Sequence, residues 1–161
     1  MDTVRVTFVC LGNICRSPMA AAVMRQLVAE RGLEGTVVVD SAGTGAWHVG
    51  DRADERARAA LRRGGYPDDH VARQFQASDF DRFDVILGLD AANVRDLTQM
   101  APSAAAAAKV RLLRSFDPDT PAGAEVPDPY YGSDEGFDEV LRLVEPACAG
   151  LLDALVAGSV P

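Results

Sequence analysis

The chain has 161 residues, 48% of them hydrophobic and 25% charged, with a formal net charge of −8; this suits one globular domain, residues 1–161, rather than a disordered chain. The acidic balance argues against a general nucleic-acid role, which needs a basic face, so any phosphate site must be built locally from backbone amides and one or two cations. No apolar run approaches the roughly 18 residues of a membrane span, and MDTVRVTFVC lacks the basic region and cleavage site of a signal peptide, so a cytoplasmic location is expected.

Val4 to Val9, rich in β-branched residues, reads as a buried strand. A polar turn from Cys10 to Ser17 follows. Pro18 then suits the first turn of a helix with Ser17 as its N-cap, Met19, Val23, Leu27 and Val28 as its apolar stripe, and Gly32 as its end. Thr36 to Val39 is a second strand running into the Gly-rich SAGTGAWHVG. Asp54 to Arg63 is helical, with Ala57, Ala60 and Leu61 inward, and Gly64 and Gly65 stop it. Asp84 to Leu89 is a third strand, Ala91 to Met100 a helix, and Val110 to Phe116 a fourth strand. Ala104 to Ala108 reads as a surface turn or short helix. A Pro- and Gly-rich loop spans Asp117 to Gly136, and Phe137 to Val156 forms the last helix. Strands alternating with helices imply an α/β fold, a parallel sheet with helices on both faces.

Three cysteines, Cys10, Cys15 and Cys148, are an odd number and too few for a disulfide scaffold. Two of them share the stretch CLGNICRS, at the junction of the first strand and first helix. Amides at a helix start are unpaired and carry partial positive charge. A loop wrapping them inward makes an anion nest sized for a phosphate, from Leu11, Gly12, Asn13, Ile14, Cys15, Arg16 and Ser17. Cys10 sits below that nest, where the same field favours its thiolate. Arg16, with five residues between it and Cys10, can hold two equatorial phosphate oxygens through its planar fork. Gly12 is expected to permit the turn, and the Ser17 hydroxyl to donate to the Cys10 sulfur.

The complete stretch, with Asn13, Ser17 and Pro18, resembles the low-molecular-weight protein-tyrosine phosphatases of bacterial type. PDPYYG near the C-terminus extends the likeness, since that family takes its general acid from an Asp-Pro-Tyr-Tyr-like segment; here the residue is Asp128, followed by Tyr130 and Tyr131. The resemblance implies a three-layer fold around a four-stranded parallel sheet, with the phosphate loop between first strand and first helix. It also implies that Ser41, in SAGT, orients Asn13, that His70 braces it, and that Trp47 and Tyr130 are walls of the substrate cleft. His48 and Tyr131 lie beside those walls, His48 as a candidate for tuning specificity. Cys15 can pair with the nucleophile under oxidation by the same resemblance, and Cys148 is read as buried packing.

The activity expected is hydrolysis of phosphotyrosine and aryl phosphates through a phosphocysteine, with Cys10 as nucleophile, Arg16 stabilising the transition state and Asp128 as acid and then base. No cofactor or metal is expected, because His48 and His70 are too few and too isolated for a metal site. Partners would be phosphotyrosine proteins, a tyrosine kinase of the same cell among them, or a host protein if the enzyme leaves the cell by an unconventional route. A monomer is the default. Two rivals are weighed. An arsenate reductase of the same fold needs cysteines to relay a disulfide, and none lies between Cys15 and Cys148. A non-catalytic phosphotyrosine-binding module would be expected to lack the nucleophile, arginine or acid, and all three are present.

Overall fold

A computed structural model of the protein describes residues 1–160. Its elements in chain order are β1 (Val4–Cys10), α1 (Arg16–Glu30), β2 (Val37–Gly43), α2 (Glu55–Arg63), α3 (Asp79–Arg82), β3 (Val85–Gly88), α4 (Ala91–Met100), α5 (Ala104–Ala107), β4 (Val110–Leu112) and α6 (Glu135–Ala157). The four strands form one sheet in the order β2-β1-β3-β4, every pairing parallel.

Two apolar clusters sandwich this sheet. Val6, Phe8 and Cys10 of β1 face the larger cluster, which α1, α2 and α6 close with Met19, Leu61 and Phe137. Val9 faces the smaller one, where Phe80 of α3, Leu97 of α4 and Ala106 of α5 pack. Side chains alternate faces along a strand, and β1 is covered on both, which explains its nearly unbroken apolar run.

Several boundaries differ from the sequence expectation, each for a local reason. The helix α1 begins at Arg16, so Ser17 lies inside it rather than capping it; Cys15 occupies the cap position without a side-chain cap bond. Its first half is buried on every side, wider than a single stripe, because it is wedged between the sheet and α6. Leu27 is only partly buried. The end is as expected: Gly32, at φ 67°, lets Leu33 and Gly32 donate back to the Val28 and Ala29 carbonyls and close α1. Strand β2 extends through Ser41, Ala42 and Gly43, since β1 keeps pairing with it up to Cys10 opposite Gly43. The expected fourth strand pairs only over Val110–Leu112 and then tightens into a 3₁₀ turn, Leu113–Phe116.

Candidate active site

The carboxyl ends of β1 and β3 meet the start of α1, and the loop Leu11–Cys15 lies there in front of β2. Gly43 at the end of β2 passes so near this loop that a Cβ on it would sit 2.7 Å from the Leu11 carbonyl oxygen and 3.0 Å from the Asn13 nitrogen. The carbonyls of the loop are taken: Thr44 and Gly45 donate to the Cys10 and Leu11 carbonyls, and the Asp54 N–H donates to the Ile14 carbonyl. The loop is therefore pinned by its carbonyls, while its amides remain for a ligand.

The strained residue of the loop is Asn13, not Gly12. Asn13 has φ 56°, alone among the described non-glycine residues in the left-handed region, where a short polar side chain can stabilise the backbone locally. Its fully buried carboxamide donates to Ser17 Oγ at 2.8 Å and Ser41 Oγ at 3.0 Å, and accepts from the Arg73 N–H at 3.0 Å. His70 Nε2 donates to its backbone carbonyl at 2.7 Å. Burial holds the His70 imidazole below its ordinary value, against the opposing pull of that bond, so the ring is neutral at pH 7. Gly12 answers a different need: a Cβ there would come within 3.1 Å of the His48 ring.

Cys10, at the end of β1, has its sulfur 3.0 Å from Ser17 Oγ. Ser17 has a single proton and two acceptors in reach, the Cys10 sulfur and the Ala42 carbonyl at 3.3 Å. A neutral thiol can donate to Ser17 while Ser17 donates to Ala42; a thiolate accepts the Ser17 O–H hydrogen bond instead. Cys15, buried nearby, has its thiol pushed well up, first by burial and then by Asp54, Cys10 and Asp128. It stays protonated at neutral pH.

Arg16 is 3% exposed, an expensive place for a charge unless it is paired. Its Nη1 donates to Asp90 Oδ2 at 2.6 Å and to the Val126 carbonyl at 3.0 Å. Burial pulls its guanidinium down, but Cys10, Asp90 and Asp128 outweigh that and leave it above its ordinary value. Both Nη1 hydrogens are spent on these anchors. The Nε and Nη2 edge has no hydrogen bond among the described residues, and this is the edge that grips two oxygens at once. Asp128 Oδ2 stands 3.7 Å from Nη2, a looser pairing, and Asp128 Oδ1 accepts from the Tyr130 N–H at 3.1 Å.

These groups enclose a cleft of about 430 Å³ whose floor is Cys10, Cys15 and Arg16 and whose sides carry Leu11, Gly12, Ile14, Trp47, His48, Asp128, Tyr130 and Tyr131. Trp47 is 73% exposed and so is rim, not core, while Tyr130 is half-buried and Tyr131 is 95% exposed. The ring paired with Tyr130 across the cleft is that of His48, centroids 6.5 Å apart. Ser41 and His70 lie behind the loop, against Asn13. Cys148 is fully buried on α6.

Sequence reasoning missed Asp90, Arg73 and Arg56. Asp90 caps α4 through a reciprocal bond pair with Asn93, which a D-x-x-N pattern signals, but nothing local ties it to Arg16. Arg73 reaches Asn13 through its backbone, which carries no residue signature.

Comparison with known proteins agrees with this geometry. The family model described as "Low molecular weight phosphotyrosine protein phosphatase" matches residues 5–159. The chain is 56% identical over 154 residues to a low molecular weight protein-tyrosine-phosphatase of Streptomyces coelicolor, covering 95% of this chain and 94% of that one. It is 49% identical over 153 residues to the low molecular weight protein-tyrosine phosphatase A of Mycobacterium tuberculosis, covering 94% and 91%. A crystal structure of protein tyrosine phosphatase from Entamoeba histolytica, with Hepes in the active site, superposes with a TM-score of 0.93 at 38% identity, over 98% of this chain and 99% of that one. Sheet order, phosphate loop and sequence lead to one conclusion: the chain belongs to the low molecular weight phosphotyrosine protein phosphatase family.

Proposed function

We propose that the protein hydrolyses phosphotyrosine in proteins, and other aryl phosphates, with Cys10, Arg16 and Asp128 as its catalytic residues. The observation that carries this is the disposition of Arg16: anchored through Nη1, it leaves its Nε and Nη2 edge free beside Cys10 and Asp128. A phosphate held by that edge and the loop amides has the Cys10 sulfur on one side and the Asp128 carboxyl on the other.

The Cys10 thiolate attacks phosphorus, the P–S bond forms and the bond from phosphorus to the phenolic oxygen breaks. Asp128 gives its proton to the departing oxygen. Arg16 and the loop amides hold the charge on the equatorial oxygens throughout. A water molecule then attacks the phosphocysteine and yields its proton to the Asp128 carboxylate, and the P–S bond breaks. Ser17 donates to the sulfur as it leaves with its electron pair.

The apolar and aromatic sides of the cleft, Leu11, Ile14, Trp47 and Tyr130, suit a phenyl ring. Phosphoserine is too short to bring its phosphate to Cys10 without dragging peptide backbone into the cleft. No described helix is long and apolar enough to cross a membrane. In this reading the protein is a monomer acting in the cytoplasm on phosphotyrosine proteins, a tyrosine kinase among them, and Cys15 is the partner for Cys10 under oxidation.

The test is phosphate release from an aryl phosphate with metal chelated. Wild type should turn over, and Cys10→Ser should lose turnover while still binding inorganic phosphate. Turnover by that variant comparable to wild type would refute the assignment.

A further inference from the structure

Arg56, on the first turn of α2, reaches both loops of the site without lining the cleft. Its neighbour Asp54 caps α2, accepting from the Arg56 N–H at 2.9 Å, and the Asp54 N–H donates to the phosphate-loop carbonyl of Ile14 at 2.8 Å. The Asp54 carboxylate also takes the Arg56 side chain by two bonds, from Nε to Oδ1 and from Nη2 to Oδ2, each 3.1 Å. The far side of the same guanidinium donates to two carbonyls of the acid-bearing loop, Tyr130 at 2.9 Å and Gly132 at 3.3 Å. Aromatic rings flank it, Phe137 at 4.6 Å and Tyr130 at 5.6 Å from Cζ to centroid. The chain of contacts continues to the acid itself, because the Tyr130 N–H holds Asp128 Oδ1.

We propose that Arg56 is a positioning residue for Asp128: it fastens the loop carrying the acid to the loop carrying the nucleophile. The proposal rests on Asp128 being the general acid. Before Asp128 this loop is held at buried Val126, whose N–H donates to the Leu89 carbonyl and whose own carbonyl accepts from Arg16. From Asp128 to Gly136 the hydrogen bonds that tie its backbone to another segment are, among the described residues, the two from Arg56. The Asp128 side chain is 43% exposed and Tyr131 projects into solvent. A rigid planar fork with five donors can bind a carboxylate on one edge and two carbonyls on the other; a lysine ammonium cannot span them. Holding Oδ1 through Tyr130 leaves Oδ2 toward Arg16 and the departing oxygen, and small displacements of such a group cost rate steeply.

The experiment compares kcat/KM for phenyl phosphate, a poor leaving group, with that for 2,4-dinitrophenyl phosphate, which departs without a proton. The proteins are wild type, Asp128→Asn, Arg56→Gln, Arg56→Lys and the double variant Arg56→Gln/Asp128→Asn. Arg56→Gln should lose about tenfold more on phenyl phosphate than on the dinitrophenyl ester. It should keep inhibition by inorganic phosphate within about twofold of wild type, and should cost nothing further once Asp128 is already Asn. Equal loss on both esters, or full additivity in the double variant, overturns the proposal while leaving Asp128 as the acid if Asp128→Asn is itself selective. Unselective loss in Asp128→Asn removes the acid assignment, and the role of Arg56 falls with it. If Arg56→Gln fails to fold by circular dichroism, Arg56→Lys, which keeps the charge and the stem over Phe137 but not the fork, is judged by the same criteria.

Discussion

Ser17 Oγ lies 3.0 Å from Cys10 Sγ and accepts from Asn13 Nδ2 at 2.8 Å, so its own proton is directed either at the sulfur or at Ala42. A hydroxyl so placed matters most when Cys10 carries negative charge. Ser17→Ala should slow breakdown of the phosphocysteine by about ten- to a hundredfold, the worth of a hydrogen bond to a charged group. Rapid-quench kinetics should show a larger burst of phenol followed by slower turnover. A fall in the burst rate alone would place Ser17 in the first step instead.

Asp90 carries two duties that separate by mutation. It caps α4 and it holds Arg16. Asp90→Asn keeps a competent cap but removes the charge facing Arg16, whereas Asp90→Ala removes both. Both variants should lower kcat/KM by about tenfold. Both should lose stability in urea unfolding, because each leaves the buried Arg16 charge without its partner, and Asp90→Ala should lose about 1 kcal/mol more for the missing cap. Equal stability of the two variants would show that the cap contributes nothing.

His70 gives a pH signature. Burial holds its folded-state pKa below the ordinary 6.5. Below that value the unfolded chain binds a proton that the folded chain resists, so stability rises with pH across the window and is fully present above about 6.5. Acidification from about pH 7 toward pH 5 should therefore cost wild type more stability than His70→Gln, which can still donate to the Asn13 carbonyl. Parallel stability curves for the two proteins between those values would contradict this.

Oxidation should distinguish the loop cysteines. Peroxide converts the Cys10 thiolate to a sulfenic acid, which condenses with the Cys15 thiol to give a disulfide and water. Dithiol reductant should restore the wild type. Cys15→Ser, with nothing to capture the sulfenic acid, should be lost largely for good. Equal recovery of the two would make Cys15 packing alone.

Trp47 bears on substrate choice. Truncation to Ala removes one side of the cleft, worth about 0.5–1.5 kcal/mol of ring contact, or roughly two- to tenfold in kcat/KM for phosphotyrosine peptides. Inhibition by inorganic phosphate, which touches only the loop, should barely change. Matched peptides should also show wild type preferring phosphotyrosine strongly over phosphoserine, and comparable efficiency on both would leave only a general phosphomonoesterase.

Cys10, the run to Ser17 and Asp128 could be read from the sequence because each belongs to a contiguous segment. A phosphate nest is made by successive amides, so a buried run, CLGNICRS and a helical pattern already define its chemistry. The alternation of strand and helix likewise determines a parallel sheet. Where the helix starts was not legible: Ser17 resembles a cap in one dimension, but in the fold its hydroxyl belongs to Cys10 and Asn13. The supports of the site were hidden for a stronger reason. Arg16 is anchored 74 residues away at Asp90 and 110 away at Val126, and Arg56 is joined to Tyr130 across 74. The two Arg16 meetings exist because the sheet order places β3 beside β1 and brings both carboxyl ends together, and the Arg56 meeting because α2 packs beside α6. Local spacing determines which residues can do the chemistry, since it is set by covalent geometry; the partners that hold them in place come from packing between distant segments, which only the tertiary structure decides.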